Sequence, residues 1–385
     1  MSDQDSSAGQ EVESGAAAAA FVAKEVTRLW KEWSEKNRRA NILIAGKTGV
    51  GKSTLINTVF RENLAKTGNG RPVTQKIEEI SKAGVPITIL DTKGLELADF
   101  EVIRNDIISE IEARRGENAE TYVHVAWLCI SEGSARIEDA EIELAIALKA
   151  IGIKVMIIVT KVSRFKDNSF EKVVREQFSG ITADVVLTRA LSEDVYDDDD
   201  RITGHLEVRG IDQLLDLTNT YLPESQRHAF ANATSLKHKK ALELKRGEAK
   251  SVITFFSGAA ATVGATPIPF SDAIALVPMQ IGMIIKISQV YGMNVSREAA
   301  LPVLASLTGI SGTSMLGRTI VSGLLKMIPG AGSFVGGAIS ATTAATLTSA
   351  LGNLYASTLS EISERGEELQ LTSALNALKR KIKPQ

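Results

Sequence analysis

Cysteine is almost missing: Cys129 is the single one in 385 residues. That excludes an internal disulfide framework and a Cys-based zinc site. Four scattered histidines do not approach metal-ligand spacing. Net charge of either sign is also lacking, since 44 Lys and Arg face 46 Asp and Glu, so nothing global marks a nucleic-acid binder and any basic surface must be local. Aromatics make up 5% of the chain, too few to lay out a stacking surface for RNA. A secretory leader is not expected either, because "MSDQDSSAGQEVESGAAAAA" is acidic and polar where such a leader opens basic and apolar. A cytoplasmic protein, or one at the cytoplasmic face of a membrane, fits these absences.

The length allows two or three domains. Residues 1–14 read as a disordered tail, and 15–38 as an Ala-rich helix with Phe21, Val22, Leu29 and Trp30 near helical spacing. From Asn41 the pattern turns to short apolar runs. "NILIAG", "PITIL", "HVAWLCI", "KVMIIVT" and "DVVLT" have the length and flanks of buried strands. Helical patterns alternate with them at 52–63, 97–114, 136–151, 168–178 and 211–221. Together they predict an α/β domain over 39–223, a mostly parallel sheet with helices on both faces and ligands at the strand C-termini.

After Pro223 the strand signals stop. Residues 224–250 read as a basic helical connector, 251–365 as an all-α domain rich in Gly and Ala, and 366–385 as a C-terminal helix and tail. Charge is missing again here, with none in 251–271, 300–317 or 327–360. Such runs reach the length of a bilayer span, and Gly332-x-x-x-Gly336 would let helices pack closely there. Their Ser, Thr and Gly content suits a compact bundle in water as well. Asp272 is expected as a helix cap rather than an acid catalyst.

Residues 46–53, "GKTGVGKS", match G-x-x-x-x-G-K-[ST] between a strand and a helix. Glycines at Gly46, Gly49 and Gly51 let backbone N–H groups turn toward phosphate oxygens, with Thr48, Val50 and Thr54 beside them. Lys52 then reaches the outer phosphates and the Ser53 hydroxyl ligates magnesium. The strand "PITIL" runs into "DTKG", where Asp91 can hold the magnesium shell and the Gly94 N–H can meet a terminal phosphate. Between the two motifs, the polar loop "TGNGRPVTQ" offers Thr74 as a further metal ligand.

In this order and spacing, "GKTGVGKST", "RPVT", "DTKG" and "TKVS" resemble an Era-like GTPase domain of the translation-factor-related class. The resemblance implies a Ras-like fold, bound GTP or GDP with Mg2+, and a nucleotide switch that hydrolyses GTP. It makes Lys52, Thr74 and Gly94 the catalytic residues, Ser53, Thr74 and Asp91 the metal residues, and Thr160, Lys161 and Ser163 the base-side residues. Two departures stand out. Ser163 replaces the Asp that reads guanine, which implies weak guanine preference. Leu95 stands where a water-positioning Gln would, which implies slow hydrolysis unless Lys47, Lys93, a homodimer partner or an activating protein supplies the missing charge.

"TPIPFSDAIALVPMQIGMIIKISQVYGMNVS" and "KMIPGAGSFVGGAISATTAATLTSALG" resemble the YcjF-like domain that follows Era-like GTPase domains in bacteria. That domain has no established chemistry to carry over. The expected whole is a switch whose nucleotide state controls a helical, membrane-associating half. The alternatives are a ribosome-assembly GTPase and a nucleotide-stabilised scaffold. Nucleic acid is not an expected partner.

Overall fold

The computed structural model describes residues 28, 39–61, 64–67, 69–72, 77–92, 95, 100–117, 121–264, 272–293, 295 and 341–382. The expected tail and Ala-rich helix before Arg39, Thr74, Lys93, Gly94, the run 300–317 and the Gly332-x-x-x-Gly336 pair lie outside these residues. So does the side chain of Asp272.

Chain contacts divide the protein into two units, one over Asn37–Ala241 and one beginning at Leu242. The first is built on a seven-stranded sheet: β1 (Ala40–Ala45), β2 (Asn69–Pro72), β3 (Ile77–Lys82), β4 (Val85–Thr92), β5 (Val125–Ser131), β6 (Lys154–Thr160) and β7 (Val185–Leu187), in the order β2-β3-β4-β1-β5-β6-β7. The five strands β4-β1-β5-β6-β7 run parallel. All five were legible as apolar runs. β2 and β3 were not, because in "IEEISK" only Ile77 and Ile80 are buried, three residues apart, which gives neither a continuous apolar run nor a two-residue alternation, and "NGRP" turns part of the expected polar loop into an edge strand.

β1 lies buried along its whole length because helices cover both faces of the sheet. After β1 come α1 (Lys52–Val59) and the short α2 (Leu64–Thr67); residues of α3 (Phe100–Glu117), α4 (Asp139–Ala150) and α5 (Ser169–Gln177) pack on one face against Leu43, Leu90, Leu128, Ile157 and Val159. On the other face, Trp127 donates its ring N–H to Thr218 of α6 (Ile211–Tyr221) at 3.1 Å. Trp127 also stacks on Phe60, which meets Phe230 edge-on at 6.1 Å. The chain passes from β1 outward to β4 and then back to β5 on β1's other side. Its C-terminal edge is therefore the point where a crevice opens in sheets of this type.

The stretch 224–250 is less of a connector than its polarity implied. Its first half is α7 (Glu224–Ala233), in which Gln226, His228, Phe230 and Asn232 are all buried. Alanines and Phe230 give this helix a docking face, and Arg61 donates to the Asn232 backbone and side-chain oxygens at 3.1 and 2.9 Å, which lets a polar residue be buried. A two-stranded hairpin, β8 (Glu193–Tyr196) and β9 (Ile202–Leu206), also forms; its exposed strands carry little of the alternation that a sheet strand shows.

The second unit is helical. α8 (Lys239–Gly264), α9 (Asp272–Val290) and α10 (Ala341–Glu364) bury Phe256, Met283, Ile287, Leu351, Tyr355 and Leu359, and α11 (Leu371–Ile382) adds Leu375 and Leu378. Hydroxyl pairs lock the end of α9 to α10: Ser288 with Tyr355, and Tyr291, just past α9, with Ser360, each at 2.7 Å. Among the described residues no helix is long and apolar enough to cross a membrane.

Because Phe230 is fully buried against Phe60, Phe230→Ala should lower the unfolding free energy by about 3–5 kcal/mol, read from a urea titration of tryptophan fluorescence. A loss below about 1 kcal/mol would mean that α7 is not part of the core.

Candidate functional site

β1 delivers its loop between two neighbours, pairing Ile44 with Asp91 of β4 and Ala45 with Leu128 of β5. The loop leaves the strand at Gly46, whose φ is 148°. A Cβ there would lie 2.4 Å from the Cys129 carbonyl oxygen, so only glycine lets the loop lie this close to β5. Thr48 and Gly49 are exposed while Val50 is buried. Gly51, at φ 104°, caps α1 (Lys52–Val59) with no side chain over its first N–H groups, leaving those donors to whatever anion arrives.

Lys52 is nearly buried. Its ammonium donates to the carbonyls of Gly46 at 2.8 Å and Lys47 at 3.2 Å, folding back over the loop. Ser53 and Thr54 are exposed at the start of α1. Asp91 is the penultimate residue of β4, and its Oδ1 is buried with no hydrogen-bond partner among the described residues. Burial pushes its pKa up to about 6, against the pull of Lys52 and with a push from Glu78. A buried carboxylate oxygen without a donor is costly, and it is, like the exposed Ser53 hydroxyl, a hard oxygen of the kind magnesium takes.

Strand β6 braces the loop from the far side. Thr160 Oγ1 donates to the Val50 carbonyl at 2.6 Å, and Lys161 Nζ to the Gly49 carbonyl at 2.7 Å. Lys161 takes φ 57°, a left-handed conformation uncommon outside glycine that gathers at functional sites. Thr160 is thus a buried brace of the loop, while Lys161 and Ser163 are exposed at its edge.

Several residues here escaped the sequence reading. The Glu132 carboxylate, one residue past β5, accepts from the Ser163 N–H and O–H, both at 2.7 Å, and from the Asn168 amide. Arg189, buried, donates to the Val162 carbonyl at 2.9 Å and the Ser163 carbonyl at 2.6 Å. The signal for Glu132 was its place, an acid directly after an apolar strand; nothing in the spacing linked it to Ser163. Lys47, weighed as a source of catalytic charge, is ion-paired with Glu138. Leu95 is fully buried in the core, so its side chain holds no water.

Two parts of the chain match known families. Residues 41–161 match the family described as "50S ribosome-binding GTPase", and residues 230–384 match a "Domain of unknown function (DUF697)". Among curated proteins, the chain is 36% identical over 113 residues to the tRNA modification GTPase MnmE of Verminephrobacter eiseniae, covering 28% of this chain and 22% of that protein. It is 37% identical over 94 residues to Ribosome biogenesis GTPase A of Bacillus cereus, covering 24% and 31%. The chain thus spans less than a third of the length of these relatives. Among solved structures, an Era protein of Aquifex aeolicus bound to GDP and aluminium fluoride aligns at 16% identity and a TM-score of 0.32, over 60% of this chain and 68% of that one.

The raised pKa of Asp91 has a definite sign. Between the unfolded carboxylate range near 3.8 and about 6, the folded chain holds a proton that the unfolded chain releases, so the cost of the buried charge is present above 6 and vanishes as pH falls. Without nucleotide or metal, Asp91→Asn should therefore raise Tm relative to the parent above pH about 7, and this gain should fade below pH about 5. A gain that is the same at both pH values in a calorimetric series would refute the assignment.

Proposed function

We propose that this chain binds GTP with magnesium and hydrolyses it, as a switch of the Era-like, translation-factor-related kind, and that the YcjF-like helical residues respond to the nucleotide held. The observation that carries this is one pair. The Lys52 ammonium donates to the loop carbonyls of Gly46 and Lys47, and Asp91, on the neighbouring strand, keeps a buried oxygen with no hydrogen-bond partner among the described residues.

In this reading Lys52 exchanges the Gly46 and Lys47 carbonyls for outer phosphate oxygens, while the loop N–H groups and the N-terminus of α1 take the inner ones. Magnesium, when bound, would be held by Ser53, Thr74 and Asp91 and would offset charge on the phosphate oxygens. Gly94 would present its N–H to the terminal phosphate. Leu95 is buried and Lys47 is ion-paired, so neither offers a water-positioning group among the described residues. A charge of that kind adds about 10³–10⁵ in rate in related systems, so turnover is proposed to be slow until a second copy or a partner protein supplies one. The matched stretch 41–161 ends before the helical half, and ribosome binding is not carried over with it.

Lys52→Ala should abolish binding of a fluorescent GTP analogue with little change in Tm, because the lysine serves the loop rather than the core. Triphosphate binding at the parent's affinity in the folded variant would refute the reading.

A further inference from the structure

We propose that Glu132 supplies the carboxylate that reads the guanine ring, in place of the residue at 163. The inference rests on the GTP-binding reading above.

Strand register brings the two residues together. β5 and β6 run parallel with Ser131 opposite Thr160, so the chain leaves β5 at Glu132 just where it leaves β6 toward Lys161 and Ser163. The bonds from Thr160 to Val50 and from Lys161 to Gly49 hold that exit against the phosphate loop. A nucleotide with its phosphates on residues 46–53 must then lay its base along the 161–163 turn and whatever stands beside it.

What stands there is a carboxylate. Glu132 Oε2 takes the Ser163 amide and hydroxyl, and Oε1 takes the Asn168 amide. A carboxylate offers about four acceptor positions, and three are engaged. Asn168, in turn, is fixed by donating to the Arg164 carbonyl at 2.6 Å and by accepting the Glu171 N–H at 2.8 Å as the cap of α5. The carboxylate is thus oriented, with capacity left at a partly exposed position. Burial alone would raise its pKa, but the bonds from Ser163 and Asn168 and the charge of Arg189 outweigh this and hold it below the usual range.

Guanine presents two adjacent donors, N1–H and the 2-amino group; the acceptor position left on the ionised carboxylate takes one of them while its negative charge faces both. Adenine presents a lone pair at N1 and would meet the carboxylate with repulsion. Ser163 then acts as a positioning residue, its N–H and O–H aiming the acid. An Asp at 163 would bring a second negative charge against Glu132, so restoring the common motif should not restore guanine reading. The competing role for Glu132 is a brace of the 161–168 turn, with no contact to the base.

The full chain should be titrated with GTP, xanthosine triphosphate and ATP in parent, Glu132→Gln, Glu132→Asp and Ser163→Asp forms, with Tm measured for each. The parent should prefer GTP to ATP. Glu132→Gln should weaken GTP about tenfold or more and strengthen xanthosine triphosphate, whose 2-carbonyl accepts from the new amide. If Glu132→Gln does not fold, Glu132→Asp, which keeps the charge but shortens its reach, should weaken GTP relative to ATP. Ser163→Asp should bring no gain in GTP affinity. A lowered Tm in the Glu132 variants with GTP-over-ATP preference unchanged would overturn the proposal in favour of the brace, as would a tenfold gain in Ser163→Asp. If the parent binds no guanine nucleotide, or Lys52→Ala keeps full affinity, the GTP reading itself falls. These results are separable from a failure at Glu132 alone.

Discussion

The short bond from the Thr160 hydroxyl to the Val50 carbonyl, 2.6 Å long and buried, fixes the phosphate loop to a strand two places away in the sheet. Lys161 reinforces it from the surface at Gly49. A loop with three glycines would otherwise pay heavily in conformational entropy to hold one shape. The sheet meets that cost through β6, and the loop arrives at its ligand already ordered. In consequence the turn beyond β6 and the loop are mechanically joined, and under the proposed function the two ends of a nucleotide would be met by one coupled element.

Much of the first unit was readable because it obeys one rule. Strands buried on both faces spell continuous apolar runs, and β1, β4, β5, β6 and β7 all do. The G-x-x-x-x-G-K-S run was readable because it is contiguous, and it lies between β1 and a helix as its spelling required. The antiparallel strands β2 and β3 and the buried helix α7 were not, since their identity depends on neighbours far away in sequence: α7 is polar by composition and buried because Phe60 and Arg61 receive it. Glu132 and Ser163 lie 31 residues apart and meet only through the register of two parallel strands. No local pattern records such a meeting.

Tension between burial and charge runs through the site. Asp91 and Glu132 both end or follow strands at the same sheet edge, yet their surroundings drive them apart: the one is short of donors and pushed toward neutrality, the other is well supplied and kept ionised. Pairs of acids separated in this way are a common mark of divided roles. Here the difference arises from backbone and side-chain donors that the 161–168 turn brings to one acid only.

The position of Cys129 has a practical side. The chain's single thiol sits fully buried in the middle of the sheet, its acidity suppressed until a pKa of about 12, with its backbone carbonyl forming the floor beneath Gly46. A thiol so placed does not react from the native surface, and the only path for an alkylating reagent is an opening of the sheet itself. The molecule thus carries a native stopwatch: its alkylation rate reports how often the strands beside the Gly46 loop part, and the helical unit, which has no cysteine, stays silent.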